Sequence, residues 1–275
     1  MTGSVARGAT LGVFALAMIN IAAIVSPRNG PLLAEYGWSM FFFLGLSIVL
    51  FLIPVALAAA ELATGWPEAG GVYAWVKEAF GERSGFLAVW CEWSENLTWF
   101  PTVLSFIAGS LAYAISPELA SNNVYLVIVM LSVFWAATVL NFLRVDQSTL
   151  VATIGTFLGA FLPILLLAGL AIAWFAKGEG SAIPFSGDAL LPDLSGQQLL
   201  FLGGILLGFS GMEMAGFHAR ETRNPRRDYP KALLISVVTV IVFAIASSLA
   251  LALVVPKQEI SLLSGTMQAF TDMFD

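Results

Sequence analysis

Charge is scarce in this chain. Asp, Glu, Lys and Arg make up 11% of its 275 residues, where soluble globular domains carry about 25%. Sulfur and imidazole are scarcer still. Cys91 stands alone, which excludes an intramolecular disulfide and any Cys-x-x-Cys metal site. His218 is the sole histidine, which argues against a histidine-rich metal centre. There is no His-Glu-x-x-His or Gly-x-Ser-x-Gly run, and the acidic residues lack metal-ligand spacing. The sequence is therefore not read as an enzyme, and neither a cofactor nor a nucleic-acid partner is expected.

What the chain has in abundance is hydrocarbon. Hydrophobic residues account for 59%, and apolar runs of roughly 20 residues recur, the length that crosses ~30 Å of bilayer as a helix. The runs are too long and too continuous for an alternating barrel pattern. The expected class is an all-α polytopic membrane protein with a lipid bilayer as its solvent. Seven spans are expected, near 9–35, 38–63, 84–116, 123–142, 149–176, 198–219 and 230–255. A short amphipathic helix near 71–80 lies in the interface. No cleavable signal peptide is evident, and Asn96-Leu97-Thr98 matches a glycosylation sequon only by chance inside a span.

The distribution of Lys and Arg orients the spans; the net charge of −6 does not. With a cytoplasmic N-terminus the inner side holds Arg7, Lys77, Arg83, Arg144, Arg220, Arg223, Arg226, Arg227 and Lys231. The outer side holds Arg28, Lys177 and Lys257. The split of 9 to 3 accounts for all 12 basic residues. It predicts a multi-pass protein of the plasma (bacterial inner) membrane with its N-terminus inside. The arginines at 223, 226 and 227 are expected to set orientation and touch anionic headgroups.

Two spans are irregular. In the sixth, Gly208-Phe209-Ser210-Gly211-Met212-Glu213 interrupts the apolar run. A carboxylate there costs roughly 2.5–3.5 kcal/mol to insert, and broken helices survive in lipid only where they line a cavity or are covered by protein. Phe209, Ser210, Gly211 and Met212 are expected to form an unwound turn that binds substrate; close packing of small residues is the competing reading. Glu213 can bind an ammonium, carry a coupling proton, or cap backbone amides at the kink. In the first span Asn20 lies mid-membrane and Pro27 follows, so Ile19, Asn20, Ala22 and Ala23 are the matching candidates. An interhelical hydrogen bond is the plainer role for Asn20. Glu92 and Glu95 share one face of the third span, as a cavity wall, a proton relay or residues near an aqueous interface. Glu61 ends the second span and is expected to act in gating or topology.

Irregular first and sixth helices point to two five-helix repeats of inverted topology. Residues 1–176 would form the first repeat, 177–197 an extracytoplasmic loop and 198–275 a partial second repeat. Five-plus-five needs ten helices and only seven are found, so the chain is expected to be incomplete.

Two stretches resemble the amino acid–polyamine–organocation (APC) superfamily: Pro67-Glu68-Ala69-Gly70-Gly71-Val72-Tyr73-Ala74-Trp75, and Glu221-Thr222-Arg223-Asn224-Pro225 with Asp228-Tyr229-Pro230-Lys231-Ala232. Phe51 to Val55, Ala60 to Thr64, Val255-Pro256, Glu259-Ile260 and Met267 to Thr271 are similar to the bacterial glutamate/γ-aminobutyrate antiporter branch. The resemblance implies a LeuT/APC-type 5+5 inverted repeat with helices 1 and 6 broken. It also implies alternating access around a midplane site, where exposed backbone binds the substrate's amino and carboxylate groups. This chain lacks the Gly-x-Gly break in helix one that many superfamily members carry, having Ile21-Ala22-Ala23 instead.

The expected function is secondary transport of a small amino acid by exchange, of glutamate/γ-aminobutyrate type. A proton-coupled importer of amino acids or polyamines is the alternative. A non-transporting membrane scaffold is the reading from a different class.

Overall fold

The computed structural model describes residues 11–66, 70–140, 142, 145–184, 187–194, 196–262 and 264–274. Pro67, Glu68 and Ala69 of the family-like loop, Arg7 and Arg144 of the charge count, and the first two residues of the span at 9–35 lie outside them.

Among the described residues, five helices are long and apolar enough to cross a bilayer: α3 (Gly37–Gly65), α5 (Glu82–Ile115), α6 (Asn123–Leu140), α7 (Leu150–Ala176) and α9 (Pro225–Val254). The first and sixth spans differ from this pattern. Here α1 (Val13–Ile24) and α8 (Gly196–Gly208) have 12 and 13 residues. At 1.5 Å per residue that is about 18–20 Å, short of the hydrocarbon thickness. Each resumes beyond a gap: α1 as α2 (Asn29–Ala34), and α8 as a 3₁₀ helix over Met214–Glu221. The seven expected spans are thus five continuous helices and two broken ones. Prolines mark milder distortions. The backbone widens into a π turn at Ile48–Leu52 and at Phe157–Phe161, just before Pro54 and Pro163, whose rings remove a donor from the ladder.

At the centre, α9 packs against α1, α2, α3 and α7. Leu16, Ala17 and Ile21 of α1 share one buried cluster with Tyr229, Leu233 and Val240 of α9. A second cluster joins Leu167 and Ala171 to Leu251, Val255, Ala269 and Met273. By contrast, no residue of α6 is buried. One face packs against α5, where Phe134 meets Phe100, and the rest, including Val124, Ile128, Leu131 and Trp135, is exposed as expected of a helix solvated by lipid.

Two short helices dock onto the broken ones. The interfacial helix α4 (Gly71–Phe80) meets the 3₁₀ helix through two glycines. Gly71 has φ +48°, and a Cβ there would lie 2.6 Å from Cε1 of Phe217. A Cβ on Gly216 would lie 2.5 Å from Cη2 of Trp75. Each glycine is thus covered by an aromatic ring of the opposite element. On the other side, α10 (Gly265–Phe274) lies against helix one. Thr266 Oγ1 donates to the Pro27 carbonyl at 2.9 Å, and a Cβ on Gly265 would meet Pro31 Cγ at 3.2 Å.

Among the described residues the sole β-type pairing is an isolated bridge between Leu11 and Thr222. Leu11 N–H donates to the Glu221 carbonyl (2.9 Å), and Arg223 N–H donates to that of Leu11 (3.0 Å). The start of helix one is thereby tied to the end of helix six.

Candidate functional site

Helix one stops at Ile24 because Pro27 disfavours helix in the residue before it and offers no N–H of its own. Val25 is extended, with φ −72° and ψ 114°, and the chain turns through Ser26, Pro27 and Arg28 before α2. Ile19, Asn20, Ala22 and Ala23 therefore belong to continuous helix, one turn before the interruption. Helix six stops at Gly208, and Phe209 to Glu213 carry no regular helix. The turning point is Gly211, whose φ of +116° strains any residue with a Cβ. Phe209, Ser210, Gly211 and Met212 form the interruption itself, with Phe209 and Met212 buried and Ser210 half-buried.

The ends freed by these gaps are satisfied largely by side chains from the other broken helix or from α9. Asn29 Nδ2 donates to the Ile24 carbonyl at 3.2 Å and to the Gly208 carbonyl at 3.4 Å. One amide therefore reaches the last carbonyl of both half-helices. Asn20, fully buried, accepts a hydrogen bond from the Ala215 N–H (2.9 Å), while its own Nδ2 has no partner. The hydroxyl of Tyr229, 1% exposed, donates to the carbonyl of the same Ala215. The N–H and the carbonyl of Ala215, in the first turn of the 3₁₀ helix, are thus held by helix one and by α9 respectively.

Removing the shared amide has a measurable consequence. Asn29→Ala leaves two carbonyls unpaired and is expected to cost about 1–3 kcal/mol in chemical unfolding of the detergent-solubilised protein. Asn29→Asp, similar in size but without N–H donors, is expected to cost at least as much. An unchanged midpoint for both variants would remove Asn29 from the architecture of the breaks.

Beside the helix-six interruption lies a cavity of about 420 Å³. Its apolar wall is Phe51, Val55 and Leu62 of α3 with Val72 and Trp75 of α4; its polar wall is Ser210 and Glu213 with Cys91, Glu92 and Glu95 of α5. Glu92, Glu95 and Glu213 are all half-buried and within electrostatic reach of one another. The Glu213 carboxyl also lies near the N–H groups of Gly211 and of its own residue. Three carboxylates with no basic partner among the described residues, facing an apolar wall, form a place where cationic charge, a proton or an ammonium, is stabilised. Glu61 is elsewhere. It is exposed near the end of α3 and forms no ion pair among the described residues.

Three participants went unsingled in the sequence. Asn29 follows Pro27 directly enough that the interruption could have pointed to it, and Tyr229 carries a polar tip inside a buried stretch. Arg28, counted above with the outer loop, sits in the gap itself, its guanidinium carbon 5.9 Å from the Trp99 ring centroid.

These features define a multi-pass membrane protein of the APC type, built around two interrupted helices. The amino acid permease family model matches residues 9–275, and the chain belongs to that family. It is 41% identical over 266 residues to an uncharacterized transporter of Legionella pneumophila, covering 96% of this chain and 57% of that protein. It is 31% identical over 264 residues to a glutamate/γ-aminobutyrate antiporter of Lactococcus lactis subsp. cremoris, covering 94% of this chain and 52% of the antiporter. A probable agmatine/putrescine antiporter of Lactococcus lactis subsp. lactis is 26% identical, covering 87% of this chain and 51% of that protein. The chain spans about half the length of the curated relatives it matches.

Proposed function

We propose that this chain is part of a secondary transporter that exchanges small amino acids by alternating access, of glutamate/γ-aminobutyrate type. The observation that carries this reading is the pair of facing helix interruptions, bridged by Asn29, beside a cavity with a carboxylate wall. Helix gaps in a bilayer are costly unless they serve a cavity. In this reading residues 1–176 and 198–275 belong to the two repeats, the N-terminus is cytoplasmic, and the substrate lies between the interruptions. Placing Arg28 in the gap leaves Lys177 and Lys257 on the outer side, which strengthens the charge asymmetry. The test is counterflow with the full chain in proteoliposomes preloaded with unlabelled γ-aminobutyrate or glutamate. Labelled substrate is expected to accumulate only in preloaded vesicles. No counterflow with any amino acid or amine would sink the reading.

The three grouped carboxylates favour a second reading, proton-coupled import of an amino acid or polyamine. It predicts uptake driven by an imposed pH gradient without internal substrate, with Glu213→Gln abolishing the dependence on that gradient.

A further inference from the structure

Arg28 is the one charged residue between Leu11 and Ala34, and it lies where helix one is open. The backbone there has little left to offer an anion. Val25 N–H donates to the Ile21 carbonyl (2.8 Å), Asn29 N–H to that of Ser26 (3.2 Å) and Gly30 N–H to that of Pro27 (3.1 Å). Arg28 N–H donates to Ser26 Oγ at 3.3 Å, and Pro27 has no N–H. Ser26 N–H is the one amide of this turn left without an acceptor among the described residues, where a family-like Gly-x-Gly turn would offer several.

The Arg28 side chain is equipped to do so. Its guanidinium lies against Trp99 of α5, and its buried Nε has no hydrogen-bond partner. No carboxylate lies within 4 Å of it among the described residues, where the ion pairs are Lys77–Glu82 and His218–Glu221. An unpaired guanidinium donor away from water is expensive to maintain. A planar fork braced on an aromatic face is well suited to holding a carboxylate by two parallel hydrogen bonds. Trp99 is four residues beyond Glu95 on the same helix, one turn or about 6 Å further along its axis. The aromatic brace of the guanidinium and the carboxylate Glu95 thus occupy successive turns of α5.

We propose that Arg28 is the carboxylate receptor of the transport site. The substrate carboxylate pairs with the guanidinium over Trp99, and its amine is directed to the wall of Glu92, Glu95 and Glu213. This rests on the transporter reading and narrows it. The favoured cargo carries an amine and a carboxylate spaced along a short flexible chain, as in an ω-amino acid.

The test compares two probes that differ by one group, γ-aminobutyrate and propylamine, titrated into the purified full chain. Arg28→Gln is expected to weaken γ-aminobutyrate binding by about 10–100-fold, the loss of a charged hydrogen-bonded partner, with propylamine changed less than about threefold. Arg28→Lys keeps the charge but not the fork, and is expected to fall between wild type and Arg28→Gln; it carries the same test should Arg28→Gln fail to fold. Equal losses for both probes, or none for either, would overturn the assignment by reducing Arg28 to a structural role. A wild-type protein that binds both probes equally overturns the Arg28 assignment and leaves the transporter reading standing. One that binds neither also overturns the Arg28 assignment, and the counterflow measurement then decides the transporter reading separately.

Discussion

Gly71→Ala is expected to destabilise the protein by about 2–5 kcal/mol, the sum of two independent penalties. The added methyl would start 2.6 Å from the Phe217 ring, in a region already filled, and overpacking of that kind costs about 1–3 kcal/mol. The backbone at φ +48° also disfavours any residue with a Cβ, by roughly 1–2 kcal/mol. Gly216→Ala meets the Trp75 ring in the same way without a positive φ, and is expected to cost about 1–3 kcal/mol. Gly203, inside α8 with nothing within 4 Å of a built Cβ, is the control. Its change to alanine is expected to stabilise by up to about 1 kcal/mol through helix propensity. Chemical unfolding in one detergent reads all three. Adding Phe217→Leu to Gly71→Ala should recover the steric part and leave the backbone part. If Gly71→Ala unfolds at the wild-type midpoint, α4 does not dock on helix six as described.

The second large effect concerns the backbone of Ala215. Asn20→Ala removes the acceptor of its N–H, and Tyr229→Phe removes the donor to its carbonyl. Each leaves a buried backbone group unsatisfied and is expected to cost about 1–3 kcal/mol; the volume lost at fully buried Asn20 adds to that variant. Because both side chains brace the backbone of one residue, the double variant should depart from additivity by about 0.5–3 kcal/mol. Additive losses would mean that the two contacts act separately. Hydrogen exchange supplies an independent readout, since the Ala215 amide should become less protected in Asn20→Ala than in Tyr229→Phe.

The legible parts of this molecule were those governed by neighbours in sequence. Apolar run length places the five continuous helices, and Gly208, Gly211 and Glu213 announce the interruption of helix six within a few residues. In helix one, Asn20 drew attention to Ile19–Ala23 because a mid-span amide is conspicuous. Nothing in that stretch breaks the hydrogen-bond ladder, so it stays helical, and Pro27 opens the chain just ahead of itself instead. What Asn20 does depends on Ala215, 195 positions away, which no local pattern encodes. Arg28 was counted on the outer side although it falls within the span at 9–35, and only the resumption of helix one as α2 places it in a gap. The carboxylate wall was half legible. The spacing of Glu92 and Glu95 puts them on one face, but their convergence with Glu213 requires the packing of α5 beside helix six.

The contact between Thr266 and Pro27 spans 239 positions, and this separation bears on biogenesis. Helix one enters the bilayer early, yet its Pro27 carbonyl meets the Thr266 hydroxyl only after α10 has been synthesised. At about 5–20 residues per second, the interval is on the order of tens of seconds. During that time Asn29 also lacks Gly208, 179 positions downstream. A nascent helix one must keep its open turn near water or in contact with the insertion machinery until helix six and α10 arrive. Early insertion intermediates should therefore be the species most readily recognised by membrane quality control.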